Sequence, residues 1–436
     1  MRVLLSTCPQ GRPKPPVFPL GLAYVASALG NHEVVCFDIN VAQDPFRALT
    51  EIVARSKPEV IGLSLRNIDT CQSYDVFSYW PSFVKTVKHL KKCCPSAALV
   101  VGGSGFSLFA EEIMKQLPEL DFGIYLEGEE SFPELLDCLD HPQAVKGVYY
   151  RRNGEVLFTG TREFLDFDSI STPRRDILDL SPYEASGRMG VQTKRGCLFD
   201  CIYCTYPFLT GHGLRLRSPE KVVEEVEILC HEHGNNEIFF VDNVFNWPLS
   251  HAEAVCQELL RRKLNVRWTA YFSERAMTVD FVKLALEAGC VKFSFSPDGC
   301  NDAALRTLGK GTRLQQLEAT YRLIEGFPGA RFGCGIIWNH PQTRWKDLRD
   351  LCSFVFQLVR TKNLAGIYIT TMRILPNTRL YKIALMEGRI SPDDHLLSPT
   401  FYDPFPWNLI SALINALGKL LGAIQRLTGK PVVGQR

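Results

Sequence analysis

The 436-residue chain has no uninterrupted apolar stretch of the ~18 residues that a membrane-spanning helix needs, so no spanning helix is predicted. It also has almost no net charge. Forty-nine Lys and Arg stand against 47 Asp and Glu, a formal +2, which argues against a nucleic-acid surface as the main partner. The opening Met1–Ser6 is too short an apolar run for a secretory signal. A disulfide framework is not indicated either. The fifteen cysteines are scattered through strand-like and helix-like segments of a long chain, a usage that fits a reducing compartment and predicts a cytoplasmic protein. With 46% apolar and 22% charged residues the chain is globular, and its length predicts two or three domains.

What stands out against these absences is one compact group of thiols, Cys197-Leu-Phe-Asp-Cys201-Ile-Tyr-Cys204, with C-x3-C-x2-C spacing after an apolar, strand-like stretch. Three thiolates so close can hold three irons of a 4Fe–4S cube and leave the fourth open to a substrate or cofactor. Electron-transfer ferredoxins supply four cysteines per cluster, so a set of three points to a cluster that does chemistry. A zinc knuckle is the competing reading. Zinc prefers four N/S ligands, usually as two pairs, and the nearest histidine, His212, has no companion at ligand spacing. Cys290, Cys300 and Cys334, like Cys93-Cys94, lack the spacing of a second ligand set and read as small buried hydrophobes.

Residues 1–140 alternate short apolar strands (Val3–Leu5, Glu33–Asp38, Val60–Leu65, Ala97–Val101, Gly123–Leu126) with helical patterns (Leu20–Leu29, Asp44–Arg55, Pro81–Lys91, Phe106–Gln116, Ser131–Leu139). This rhythm predicts an α/β, doubly wound, Rossmann-like parallel sheet. Ligands of such sheets collect at the carboxyl ends of the strands. Those ends carry Thr7, then Ser64-Leu-Arg66-Asn67, then Gly102-Gly103-Ser104-Gly105, then Glu127-Gly128-Glu129. Glycines there either let backbone approach a ligand or simply make tight turns. Residues 141–188 are predicted to be a connector, with a hairpin at Asn153-Gly154. From residue 189 to 390, six larger βα units follow, with strands at Gly190–Lys194, Glu237–Val241, Val266–Tyr271, Val291–Ser296, Ala330–Ile337 and Ile367–Arg373. Residues 391–436 form a helical tail.

The cysteine spacing, with Tyr203 before the third cysteine, resembles the radical S-adenosylmethionine (radical SAM) superfamily, and the six βα units resemble its partial (β/α)6 barrel. Pro19-Leu20-Gly21-Leu22-Ala23-Tyr24, Ile61-Gly62-Leu63-Ser64, Val100-Val101-Gly102-Gly103 and Glu127-Gly128-Glu129-Glu130 resemble the cobalamin-binding domain that precedes many such barrels. The two resemblances cover roughly residues 1–390, in the order found in the cobalamin-dependent radical SAM methyltransferases. They imply a 4Fe–4S cluster on Cys197, Cys201 and Cys204, with S-adenosylmethionine on the open iron. They imply cobalamin against Thr7, Leu20, Gly21, Ser64, Arg66, Asn67, Gly102, Gly103, Ser104, Gly105, Glu127, Gly128 and Glu129. S-adenosylmethionine contacts are implied for Tyr203, for Asp242 and Asn243 (amino group), for Ser296 and Asp298 (ribose and carboxylate), and for Gly335 and Ile336 (adenine). The chain departs from many relatives in lacking Asp-x-His-x-x-Gly, whose histidine ligates cobalt. His32, His89 and His141 are the histidines before residue 190, and none fits. Arg66 then falls where the lower face of cobalt should lie, as the candidate catalytic residue; a plain phosphate or carboxylate contact is its alternative role.

The activity implied is methylation of an unactivated carbon of a small-molecule or lipid substrate, using S-adenosylmethionine and methylcobalamin, with a flavodoxin- or ferredoxin-type electron donor. Two alternatives remain at this stage: another radical rearrangement or coupling with the N-terminal domain as scaffold, and a non-catalytic Fe–S or cobalamin sensor. In the tail, Trp407, Ile410, Leu413, Ile414, Leu417, Leu420, Leu421, Ile424 and Leu427 recur at helical spacing. A helix packed on the rest of the protein is expected there. Peripheral membrane contact is the other reading, weakened by the few basic residues on the polar face.

Overall fold

The computed structural model describes residues 1–9, 16–184 and 189–428, and for the final helix only the backbone beyond residue 418. The chain divides into two compact units. One comprises Met1–Thr70, Phe77–Gly190 and Leu209–Gly211; the other comprises Cys71–Val76, Val191–Phe208 and His212–Arg436.

The first unit holds a seven-stranded sheet of β1 (Arg2–Thr7), β2 (Glu33–Phe37), β3 (Val60–Ser64), β4 (Ala98–Gly102), β5 (Phe122–Ile124), β6 (Val148–Arg152) and β7 (Glu155–Phe158), in the order β2-β1-β3-β4-β5-β6-β7. Pairs from β2 to β5 are parallel. The strand order reverses at β1, between β2 and β3, so the expected doubly wound, Rossmann-like arrangement is present. The expected connector contributes to this sheet rather than leaving it. β6 pairs antiparallel with β5, and β6–β7 is the hairpin that Asn153-Gly154 turns, both residues at positive φ. The expected helix Phe106–Gln116 is two helices, Ser104–Leu108 and Ala110–Gln116. Leu22, Ala26 and Leu29 from the first helix and Phe132, Leu135 and Leu136 from the last pack with Val3, Leu5, Val60 and Val100 of the strands in one core.

The second unit is built on a six-stranded sheet of order β8-β11-β12-β13-β14-β15. Its strands are β8 (Met189–Val191), β11 (Glu237–Phe240), β12 (Arg267–Phe272), β13 (Cys290–Asp298), β14 (Phe332–Ile337) and β15 (Leu364–Thr370). The intervening β9 (Lys194–Arg195) and β10 (Arg215–Leu216) form a small antiparallel pair. The pairs from β11 to β15 are parallel, so the six expected strands form an open sheet of barrel type. The expected sixth strand ends at Thr370; Met372–Arg373 (β16) instead pairs antiparallel with Phe401–Tyr402 (β17). One face of the sheet is sealed by helices. Trp268, Ala270, Phe272, Phe293, Phe295, Cys334 and Ile336 alternate along the strands, and each is at most 3% exposed.

The tail is a helix, Trp407–Thr428. Trp407 packs edge-on against Trp345, with ring centroids 4.9 Å apart, and Ser411 accepts a hydrogen bond from Trp338 Nε1 at 2.9 Å. Leu409, Leu413 and Leu417 on its other side are about half exposed or more. The side chains of Leu420, Leu421, Ile424 and Leu427 lie outside the described residues. Among the described residues no helix is long and apolar enough to cross a membrane.

Candidate active site

The cysteine loop is held by its neighbours' backbone. Ile202 N–H donates to Leu308 O at 3.0 Å, and Leu380 N–H donates to Ile202 O at 2.8 Å. Gly309, at φ +73°, lies so close that an added Cβ would collide with the Asp200 carbonyl oxygen and stand 3.5 Å from Cys201 Cα. The turn Leu308-Gly309-Lys310-Gly311 is therefore a clamp that only a glycine can make at that point. It also delivers a cation. Lys310 Nζ donates to Asp298 Oδ2 at 2.7 Å, and the Tyr203 hydroxyl donates to the same oxygen.

Burial pushes all three thiols up, Cys204 to about 12, while the Lys310 charge pulls each of them down. The thiols also act on one another, as neighbouring groups do: Cys201 raises Cys197, and both raise Cys204. One buried and two half-buried thiols on one clamped loop, beside a fixed cation, fit a 4Fe–4S cluster.

A recess of about 200 Å3, open to solvent, lies beside the loop and is lined by Gly196, Cys197, Phe199, Asn243, Val244 and Trp247, among others. Arg275 stands over the rings of Phe199, at 4.9 Å, and of Trp247, at 5.2 Å, so cation–π contacts hold its guanidinium beside the loop. Asn243 donates to Gly196 O at 3.2 Å, which places it on this recess. Asp242 differs from expectation. Its carboxylate accepts from Thr193 N–H (2.8 Å), Thr193 Oγ1 (2.6 Å) and Lys194 N–H (3.2 Å), with Lys194 Nζ at 3.6 Å. It is fully engaged in joining β8 to β11 and is not free to receive an amino group. Ser296 and Gly335 are neighbours on the open face, an added Cβ at Gly335 standing 3.2 Å from Ser296 Oγ. Ile336 is 1% exposed and points to the helix-covered face, so only its backbone can meet a ligand on the open side.

Sequence reasoning missed Lys310, Glu274, Arg275 and Tyr321. Burial raises the Glu274 carboxyl to about 7, opposed by Lys310, and Tyr321 donates to it at 3.1 Å. The Gly309-Lys310-Gly311 sequence after the fourth barrel strand was the one legible signal.

At the carboxyl ends of the first sheet, Gly103 and Gly105 serve the protein's own backbone. Added Cβ atoms would stand 2.7 and 2.9 Å from Leu65 O, and Gly105 N–H donates to Leu65 O and Arg66 O. These contacts fold the loop after β4 against the loop after β3, which leaves Arg66, Asn67 and Ser104 exposed. The Arg66 side chain has no hydrogen bond or ion pair among the described residues. Gly102, Gly128 and Ser64 sit at the same edge, and Gly21 has open space where a Cβ would be. Thr7 is spent elsewhere: its hydroxyl donates to Asp38 at 2.6 Å, and Tyr183 donates to the other Asp38 oxygen at 2.7 Å. Leu20 packs on the Tyr24–Leu165–Phe167 cluster, Glu127 accepts from Leu165 N–H at 3.2 Å, and Glu129 is also engaged. Among the described residues, His32 and His89 lie away from this edge. His32 lies at the opposite, amino end, 3.5 Å from the terminal amine, and His89 is bound to Thr50 at 2.9 Å. An exposed edge that presents the Arg66 cation fits a large, partly anionic ligand such as a corrin.

The comparisons agree with this division. The B12 binding domain family matches residues 11–136 and the radical SAM superfamily matches residues 191–355. The chain is 28% identical over 378 residues to an uncharacterized methyltransferase of Pyrococcus horikoshii, covering 85% of this chain and 79% of that one. It is 24% identical over 331 residues to the anaerobic magnesium-protoporphyrin IX monomethyl ester cyclase of Rubrivivax gelatinosus, covering 71% of this chain but 56% of that protein. In fold it resembles the radical S-adenosylmethionine methyltransferase TsrM of Kitasatospora setae, solved with cobalamin and a [4Fe-4S] cluster. The TM-score is 0.79 at 21% identity, over 90% of this chain and 79% of that one. The chain therefore carries a B12 binding domain followed by a radical SAM domain, the arrangement of the cobalamin-dependent radical S-adenosylmethionine enzymes.

Proposed function

We propose that the chain methylates an unactivated carbon of a small-molecule or lipid substrate. The observation that carries this reading is the pairing, in one chain, of a clamped three-thiol loop with a strand-end edge that presents an exposed Arg66. Cys197, Cys201 and Cys204 hold the cluster, and Gly309 and Lys310 fix the loop that presents them. Gly196, Asn243 and the open-face residues Ser296 and Gly335 receive S-adenosylmethionine, with Arg275 alongside. When bound, the cluster supplies the electron that activates S-adenosylmethionine, and cobalamin carries the methyl group. Arg66 would stand against a corrin bound at this edge. A guanidinium stays charged at every working pH, so it would place a fixed cation, and no basic ligand, beside the bound group.

A flavodoxin- or ferredoxin-type protein delivers the electron, in the cytoplasm. The apolar stripe of Leu409, Leu413 and Leu417 supports a lipid-facing role for the tail, whose residues 407–436 contain no acidic side chain. A second reading, another radical reaction, is favoured by the cyclase relative.

The cob(II)alamin form should show no nitrogen superhyperfine splitting in electron paramagnetic resonance. Arg66→Ala should keep its iron, lose methyl transfer and still form 5'-deoxyadenosine. A nitrogen triplet, or full methylation by the variant, would refute the assignment of Arg66.

A further inference from the structure

The open face of the barrel sheet can be read directly from strand register. Tyr271, Ser294, Gly333 and Gly366 are successive cross-strand partners from β12 to β15, and Gly335 pairs with Tyr368 in the next row. Side chains in register on neighbouring strands share a face, here the one opposite the buried Trp268, Phe293 and Cys334. Its centre is bare. An added Cβ at Gly366 would meet nothing within 4 Å, and one at Gly333 would meet only Gly366 O at 3.6 Å. Ser294, Gly333 and Gly366 therefore make a floor nearly free of side chains, two strand spacings or ~10 Å across.

Aromatic rings flank the floor. Tyr271 contacts Phe239 edge-on, with centroids 5.8 Å apart. It keeps 47% of its surface, yet burial raises its hydroxyl. Tyr74 comes to the same place on a separate segment. Burial pushes it to about 12, and Tyr368 and Tyr271 add to the shift. Its neighbour Ser73 fixes that segment: Ser73 N–H donates to Thr370 Oγ1 at 3.2 Å, Thr371 N–H donates to Ser73 Oγ at 3.1 Å, and Asn415 donates to Ser73 O at 3.3 Å. The charged groups nearest in sequence are Asp75, beside Tyr74, and Lys292 and Arg331, two residues toward the amino end from Ser294 and from Gly333.

We propose that this slot binds the substrate, and that the bound part is an uncharged planar ring, aromatic or polycyclic, lying on Ser294, Gly333 and Gly366 among Tyr74, Tyr271 and Tyr368. The word substrate rests on the methyltransferase reading; the slot and its chemistry do not. A flat ring can stack on exposed backbone where Cβ atoms are missing and meet the tyrosines edge-on. A carboxylate or phosphate in the same place would find hydroxyls from Ser294 and the tyrosines but no charged side chain among these residues to offset its desolvation.

The test uses the full chain with its cluster reconstituted and S-adenosylmethionine saturating, titrated with pyrene and with 1-pyrenecarboxylate by fluorescence. Pyrene should bind at least tenfold more tightly than the carboxylate. Gly366→Leu, whose Cβ enters open space, and Tyr74→Ala should each weaken pyrene at least tenfold, and Tyr74→Phe should not. Cluster absorbance should be unchanged in all three. Equal binding of the two probes, or pyrene binding indifferent to both Gly366→Leu and Tyr74→Ala, would overturn the proposal. Displacement of pyrene by S-adenosylmethionine would assign the slot to the cofactor's adenine and overturn it as well. No turnover is measured, so a protein that binds pyrene as described but transfers no methyl group would refute the activity and leave the slot standing.

Discussion

Replacing Gly309 by alanine should empty the cluster site while leaving both sheets folded. Gly309 sits at φ +73°, where an L-residue costs ~1–2 kcal/mol. Its Cβ would also press on the Asp200 carbonyl, with Asp200 C at 3.2 Å. Backbone on both sides cannot yield cheaply, and relief by a small shift costs a further ~1–2 kcal/mol. The sum, ~2–4 kcal/mol, lowers the population of the native loop by ~30- to ~900-fold relative to displaced arrangements. The assay is iron per chain after anaerobic reconstitution and gel filtration, with the visible spectrum. Gly388→Ala is the control. It carries the same kind of strain, at φ +63°, but meets nothing within 4 Å. It should lose a little thermal stability and no iron. Full iron content in Gly309→Ala would refute the clamp.

Two further outcomes follow from the same site. Lys310→Met removes the cation that acts on all three thiols, so the cluster midpoint potential should become more negative in a redox titration followed by electron paramagnetic resonance; an unchanged potential would exclude an electrostatic role. Glu274 should make the folded protein less stable as pH rises. Its carboxyl goes from the ordinary 4.5 to about 7, so the folded state holds a proton that the unfolded chain has lost. The stability this lends is complete below about pH 4.5 and lost as pH passes 7, on the order of 3 kcal/mol. Glu274→Gln should flatten the melting temperature across that window, and a parallel fall in both proteins would assign the pH dependence to other groups.

Much of the fold was legible because each βα unit carries its own local signals. The strand alternation and the Asn153-Gly154 turn are such features, and the cysteine spacing lies within eight residues. What was hidden depends on partners far apart in sequence. Asp242 looked like a free carboxylate at a strand end, and its occupation by Thr193 and Lys194 appears only once β8 lies beside β11. Thr7 is committed to Asp38 for the same reason. Ile336 illustrates the period of two: a shift of one residue turns a side chain from the open face to the covered one. Gly103 and Gly105 carried two readings, ligand approach or tight turn, and both lie against the Leu65 carbonyl. Lys310 and Glu274 sit in turns after strands, where nothing local distinguishes a buried charge from a solvated one.

The most direct measurement is the fate of the methyl group of S-adenosylmethionine. The reconstituted protein, loaded with reduced cobalamin and given S-adenosylmethionine carrying a labelled methyl, should move label into its corrinoid fraction and release S-adenosylhomocysteine, with no substrate added. Label confined to S-adenosylmethionine, with 5'-deoxyadenosine as the sole product, would contradict methyl transfer and favour a different radical reaction on the same fold.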